Sequence, residues 1–303
     1  MKAARLIRAI EVWVPRGHVL VQSSGAYGDH VELARVSASA TFRRGEGLPG
    51  AAWSTERPLV WQELGSHFVR ADQALAAGVD TALAMPVFSG SALTAVIVLL
   101  MSTSCESPGC VEIWGADTDL NVLTHAGGHY SGCAEFDRFS RLIQFPFGTG
   151  LPGGTFAAGK PVVMHDVRRA TTFIRSGLAA SCGLKFGVGI PFRRGRSAAY
   201  VVTLLASEKR PFLQAIEHWE AEPGADGARL ALRASSEAVA EPATREAPGE
   251  GLAAGVLATG VPKVVAVKAL EDAPIADDAA PTLALGIPVT DGEHVRGVTC
   301  LVF

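Results

Sequence analysis

The sequence predicts an α+β fold of three tandem units, each a six-stranded, mostly antiparallel sheet with short helices on one face. Three observations predict it. The stretch Gly148-Thr149-Gly150-Leu151-Pro152-Gly153 occurs nearly verbatim at Gly45 to Gly50 and again, weakened, as Gly249-Glu250-Gly251-Leu252. Trp13, Trp114 and Trp219 precede the second glycine of their copy by 34, 36 and 32 residues, and Pro86, Pro191 and Pro288 follow it by 39, 41 and 37. Each copy then closes on two apolar stretches across a tight turn. Near-constant offsets at a period of about 100 residues mark a repeated domain, since that period is too long for a solenoid. The units fall at 1–104, 105–210 and 211–303, each long enough for a core of its own.

The elements follow in order. Glu11 to Pro15 and His18 to Ser24 read as two antiparallel strands joined at Arg16-Gly17, and Val111 to Trp114 with Leu120 to His125, then Ile216 to Trp219 with Ala228 to Ala234, repeat the pattern. A helix is expected over Glu135 to Ile143, with Phe136, Phe139 and Leu142 at helical spacing, and Val31 to Ala34 is its worn counterpart. Glu237 to Pro248, rich in Ala, Glu and Pro, is expected to be a loop. The glycine stretch reads as strand end, tight turn and helix start, because glycine accepts φ > 0 and proline suits a first helical turn. Arg57-Pro58, Lys160-Pro161 and Val261-Pro262 end these helices, since proline forbids continuation. Phe68, Ala71 and Leu75, and Phe173, Ile174, Leu178 and Cys182, each fit one face of a further helix. Thr81 to Phe88 with Leu93 to Met101, and their counterparts ending at Ala206 and Phe303, form the closing hairpins.

Composition excludes several function classes. Net charge is −3 with no basic stripe, which argues against nucleic acid as a partner. The five cysteines are scattered, as in a reducing compartment. Lys2, Arg5 and Arg8 are followed by no signal-peptide core, and the apolar run Ala92 to Met101 is half a membrane span. A soluble, cytoplasmic protein with no membrane partner is expected.

Val111-Glu112-Ile113-Trp114, the Gly-x-Gly-Leu-Pro-Gly turn, and Gly187-Val188-Gly189-Ile190-Pro191-Phe192 before a final apolar strand resemble the GAF domain family. The resemblance covers 12–102 and 113–207 well, and 216–303 only at the glycine turn and last hairpin. GAF domains usually carry a long helix at each end, and the dozen residues between Met101 and Trp114, or Ala206 and Trp219, leave no room for one. Strands such as Ala95 to Leu100 are apolar on both faces and want cover on both. The bare faces must pack on each other, pack on a partner chain, or remain exposed and sticky.

The resemblance implies a small-molecule pocket between sheet and short helices. Phe68-Val69-Arg70 and Phe173-Ile174-Arg175 recur, each arginine 16 residues before the family proline, while the third copy has Asp272 at that offset. Arg70 and Arg175 are thus candidate anion contacts; the plainer reading is a solvated arginine on a helix whose phenylalanine is core. Trp53, Trp61, Phe156 and His165 could line the same pocket or simply fill the core. The ligand-binding set is therefore Trp53, Phe68, Arg70, Phe156, His165, Phe173 and Arg175. No catalytic residue and no metal site is expected: Cys105, Cys110, His125, His129 and Cys133 lack the compact spacing of structural zinc, and Cys182 and Cys300 read as inert packing. The Asn-Lys-Phe-Asp-Glu set of cyclic-nucleotide GAF domains and the Cys-His pair of bilin-binding ones are missing, so no cofactor is named.

The function expected is a non-catalytic sensory or regulatory module that binds a small effector in units one or two and signals to a separate partner protein, with a homo-oligomer left open. The third unit is expected to be structural. The alternatives are a scaffold or dimerisation protein acting through bare sheet faces, and a cysteine-based redox enzyme like the free methionine-(R)-sulfoxide reductases of the same family.

Overall fold

The computed structural model describes residues 5–65, 68–104, 108–194, 197–209, 211–224, 227–235, 251–267, 282–292 and 294–303. The first unit runs β1 (Ile7–Arg16), β2 (Val19–Ala26), α1 (Val31–Ser39), β3 (Thr41–Arg43), α2 (Gly47–Thr55), β4 (Leu59–Gln62), α3 (Ala71–Ala76), β5 (Thr81–Ser89) and β6 (Ala92–Met101). The second repeats it as β7 (Gly109–Asp117), β8 (Val122–Ser131), α4 (Ala134–Ser140), β9 (Gln144–Pro146), α5 (Gly150–Ala158), β10 (Val162–Met164), α6 (Ser176–Ser181), β11 (Leu184–Arg194) and β12 (Ser197–Ser207). The third gives β13 (Ala215–Gly224), β14 (Gly227–Ser235), α7 (Leu252–Thr259), β15 (Lys263–Val267), β16 (Thr282–Thr290) and β17 (Val295–Val302).

The sheets share one antiparallel topology: β3-β2-β1-β6-β5-β4, then β9-β8-β7-β12-β11-β10, then β14-β13-β17-β16-β15. The third has five strands among the described residues, and the expected loop Glu237 to Pro248 lies outside them. Even the irregularities repeat. Beside Trp13, Trp114 and Trp219 the register slips by one, leaving Ser23, Ala126 and Arg233 as the extra residue of the second strand. Such a bulge re-aims a side chain, and here it does so at the same tryptophan three times.

The glycine turn behaves as its residues require in the first two copies. Gly47 and Gly150 sit at φ +56 and +66, and a Cβ on Gly50 or Gly153 would lie 2.1 Å from the Arg43 carbonyl oxygen or 2.2 Å from that of Pro146. The weakened third copy is built differently, since Gly251 is extended and a Cβ there meets nothing within 4 Å.

Two helical expectations need correction. Of Phe136, Phe139 and Leu142 only Phe136 is buried, because steps of three drift around a 3.6-residue helix and α4 stops at Ser140, leaving Leu142 80% exposed. The helices after the fourth strands are only six residues long, so Phe68, Phe173 and Ile174 precede them, and Leu75 is 77% exposed. In the other direction, α1 is a full helix rather than a remnant.

Strand alternation sorts side chains to two faces. Leu83, Met85 and Val87 of β5 point one way, and Ala82 and Ala84 the other, toward the helices. The helix-free faces of all three sheets meet in one apolar core, to which Ile97 and Leu99, Ile190 and Leu204, and Leu285 and Leu301 contribute. The bare faces thus pack on each other within the chain. The edges close a ring: β4 lies beside β8, β10 beside β14, and β15 beside β2, with Gln62 Nε2 donating to Gly128 O at 3.1 Å, Val264 N–H to Ser24 Oγ at 3.2 Å, and Lys160, just before β10, reaching Glu220 of β13 at 2.9 Å. At one end of this core the segments around Pro86, Pro191 and Pro288 leave a cavity of about 20 Å³, room for about one water.

Candidate functional site: a buried carboxylate and guanidinium on the helix side

Ile10 and Val12 of β1 point into the central core, so alternation turns Glu11 to the other face, beneath the helices, with Trp13. There Arg70, at the start of α3, forks onto the carboxylate: Nη1 donates to Glu11 Oε1 and Nη2 to Oε2 at 3.0 Å. Tyr27 OH donates to Oε1 at 2.9 Å and Trp13 Nε1 to Oε2 at 3.0 Å. Arg70 Nη1 also reaches Ser37 Oγ on α1, and Gln22 Nε2 donates to Tyr27 OH.

The second unit repeats the arrangement. Arg175 at the start of α6 donates through Nη1 and Nη2 to Glu112 of β7, the latter at 2.9 Å, and through Nη1 to Ser140 Oγ on α4 at 2.6 Å. Tyr130 OH donates to Glu112 Oε1 at 3.1 Å and Trp114 Nε1 to Oε2 at 3.3 Å. His125 replaces Gln22 beside the tyrosine, at 2.8 Å, and Thr203 adds a further bond to Oε2 at 2.8 Å. Aromatic rings enclose each guanidinium: Trp13, Phe42 and Phe68 lie 4.9 to 5.8 Å from that of Arg70, and Trp114, Phe136, Phe145 and Phe173 lie 4.4 to 5.4 Å from that of Arg175, within cation–π range. The Nε atoms of both arginines have no hydrogen-bond partner.

The electrostatics follow from burial. For Glu112, burial by itself raises the pKa, but the Arg175 charge and the bonds from Arg175, Ser140 and Thr203 outweigh it and hold the carboxyl below its ordinary value. Burial, then the adjoining carboxylate, pushes Tyr27 and Tyr130 up, so both remain neutral donors. Burial also lowers His125. The result is a filled network that ties two helical segments to the central strand. It contains no nucleophile beside a free base, so its chemistry is the holding of charge.

The predicted site residues divide. Arg70 and Arg175 are 4% and 2% exposed, so the solvated reading does not hold for either, and each has an internal carboxylate as its partner. Phe68 and Phe173 are buried against these guanidinium groups. Trp53 is half-buried against the first unit's helix-side core, Phe156 is half-buried with its ring 4.2 Å from that of Phe147, and His165 is exposed. Asp272 and Cys105 lie outside the described residues, and among the described residues no group of three His, Cys, Asp or Glu suits a metal ion. Sequence reasoning missed Glu11 and Glu112, with Tyr27, Tyr130, Ser37 and Ser140. The available signal was a glutamate two residues before each repeated tryptophan, flanked in the first two copies by apolar residues on both sides. The third unit keeps that pair, with Trp219 Nε1 to Glu217 Oε2 at 3.1 Å.

The sheet order, with short helices on one face, gives these units a GAF-like fold. No family model matches the chain, and no curated protein does. Solved structures do match. The free methionine-R-sulfoxide reductase from Neisseria meningitidis, solved with its substrate, is 23% identical over 32% of this chain and 50% of that one, with a TM-score of 0.25. The A. aeolicus nlh2 GAF domain in an inactive state is 21% identical over 32% and 58%, with a TM-score of 0.26. The GAF domain of a phosphoenolpyruvate-protein phosphotransferase from Coxiella burnetii is 13% identical over 34% and 58%, with a TM-score of 0.28. The chain thus spans 50 to 58% of the length of these three structures. Among the described residues no helix is long and apolar enough to cross a membrane.

Proposed function

We propose that the chain, divided at 1–104, 105–210 and 211–303, is a non-catalytic sensory or regulatory module whose first two units bind a small effector on the helix side and pass its occupancy to a separate partner protein. The observation that carries this reading is the buried Glu–Arg network, present twice. Taking two charges out of water is expensive, and an apolar pair of similar volume is often as stable or more so; stability alone is a poor reason to build the network twice. What the pair does provide is a specific tie between α1 or α4, the segment entering α3 or α6, and the sheet. An effector seated over these segments, with Trp53 and Phe68 or with Phe156, His165 and Phe173 around it, would bias that tie and so the helix positions a partner reads. Arg70 and Arg175 are the groups through which an anionic effector acts.

The scaffold reading is favoured by one observation, that both guanidinium groups already have a full carboxylate partner. Native mass spectrometry of the full chain isolated from its own cells separates the two. A retained small-molecule mass, lost in the Arg70→Ala or Arg175→Ala chain, supports the sensor; an unliganded chain that elutes with another protein supports the scaffold.

A further inference from the structure

The second unit contains a cluster that its effector reading does not use. Cys110 of β7, Cys133 at the start of α4 and Cys182 at the end of α6 converge on one patch of the helix-side core. All are free thiols, and each of the other two lies near enough to act on the ionisation of Cys133. Cys110 and Cys133 are buried, while Cys182 is half-buried and forms the outer member. This corrects the expectation that Cys182 is sealed packing: as the C-terminal cap of a six-residue helix it lies at an edge.

The first unit shows that the fold does not require these thiols. Ala9 stands opposite Leu100 as Cys110 stands opposite Leu205. His30 caps the start of α1 as Cys133 caps that of α4, and Ala77 caps the end of α3 as Cys182 caps that of α6. Three positions that meet in space are all cysteine in one copy and none is in the other.

We propose that Cys133 and Cys182 form an oxidation site that takes hydrogen peroxide or a similarly small hydroperoxide and closes to a disulfide. The Cys133 thiolate attacks one peroxide oxygen and the O–O bond breaks. The departing hydroxide takes the Cys182 proton and leaves as water. The Cys182 thiolate then attacks the Cys133 sulfenic sulfur, the S–O bond breaks, and the second hydroxide leaves and is protonated by solvent. Two thiols and one peroxide give one disulfide and two waters, the two electrons passing from sulfur to oxygen. The division of roles agrees with the local chemistry. The hydrogen bond from Cys110 lowers the Cys133 pKa against the effect of burial, with help from Cys182, whereas burial and then the neighbouring Cys133 push Cys182 to about 11. The thiolate is the reacting form. Cys133 is 1% exposed, so a small oxidant entering beside Cys182 is the one that reaches it. The bond would clamp the start of α4, which carries Ser140, to the end of α6, which Arg175 precedes. It needs no effector, and it stands if the sensor reading falls.

The test uses the full chain with Cys105→Ser, treated with dilute hydrogen peroxide, alkylated, digested and weighed. A peptide pair joined through Cys133 and Cys182, two hydrogens lighter than its parts and cleaved by dithiothreitol, is expected, with Cys300 still alkylatable after unfolding. Cys182→Ala, which installs the residue of the first unit, should instead leave a sulfenic acid on Cys133 that a 1,3-dione traps, and Cys110→Ala, which removes the bond that lowers the Cys133 pKa, should give the same linkage more slowly. Joining of Cys110 to Cys133, recovery of Cys133 and Cys182 as free thiols, or oxidation of Cys182 alone in the Cys133→Ala chain would overturn the proposal.

Discussion

The networks around Glu11 and Glu112 are built from the same parts in the same order, yet they have different surroundings. Behind Glu11 stands Val98, and beside its tyrosine stands Gln22; behind Glu112 stands Thr203, and beside its tyrosine stands His125. The second carboxylate therefore receives one more hydrogen bond, and only the second unit has thiols at the helix ends that close over it. What the copies share is the tie between helices and sheet; what they do not share is the means of adjusting it. The third unit departs further, keeping Glu217 and Trp219 on their bulged hairpin.

The shared part is the easiest to break. Arg175→Ala should destabilise the full chain by about 3–5 kcal/mol, the cost of leaving a buried charge unpaired, and Arg70→Ala by a similar amount. Exchanging both partners for apolar residues, Glu112→Leu with Arg175→Met, should cost less than the single change. Urea denaturation monitored by tryptophan fluorescence measures all three. A loss below about 1 kcal/mol for Arg175→Ala would mean that the pair behaves like a surface ion pair and that the tie is not real.

A second contrast lies on the central side. Where the first two units turn Val12 and Ile113 into the common core, the third turns His218, buried and 3.2 Å from Thr299 Oγ1. Burial lowers its pKa from 6.5 to about 4, against the opposing pull of Glu220. A base with a depressed folded pKa binds fewer protons folded than unfolded, so stability rises with pH between about 4 and about 6.5 and is lost as pH falls through that window. The shift corresponds to roughly 3 kcal/mol. His218→Val should flatten this part of the stability profile, measured by thermal unfolding from pH 4 to pH 7, while acid loss from the carboxylate of Glu112, whose folded pKa is depressed, remains at lower pH. An unchanged profile would mean that the histidine titrates normally and that its face is wet.

Much of this architecture was legible in the sequence because repetition supplied what one copy would not. Three spaced tryptophans, three prolines and three glycine turns marked the succession of elements along each copy and the closing hairpins, and strands apolar on both faces announced that the bare sheets needed cover. The short helices were less legible, since six residues such as Ser176–Ser181 are too few to establish a period. The arginines were noticed through their recurrence, but their partner was not. Glu11 and Arg70 are 59 residues apart, and only the fold reveals that a polar residue in an apolar strand and an arginine beside a buried phenylalanine are one object. Likewise the separation of Cys110, Cys133 and Cys182 along the chain concealed that their side chains meet.

The smallest expected effect tests the difference between the two sites themselves. Thr203 Oγ1 donates to Glu112 Oε2 at 2.8 Å, both groups fully buried, and the paired position in the first unit is Val98. Thr203→Val keeps the shape and removes one donor from a carboxylate that still has Arg175, Tyr130 and Trp114, so the loss should be about 1.5–3 kcal/mol, that of one hydrogen bond to a charged group. It should also raise the Glu112 pKa, moving the acid limb of the stability curve toward higher pH, because the bond stabilises the ionised form alone. The reciprocal change, Val98→Thr, offers Glu11 the donor it lacks. If the sites are equivalent in geometry, it should return part of that energy. If instead Val98→Thr destabilises by about 1–3 kcal/mol, the cost of an unsatisfied buried polar group, then Glu11 has no free lone pair in reach, and the two networks differ in geometry as well as in donor count.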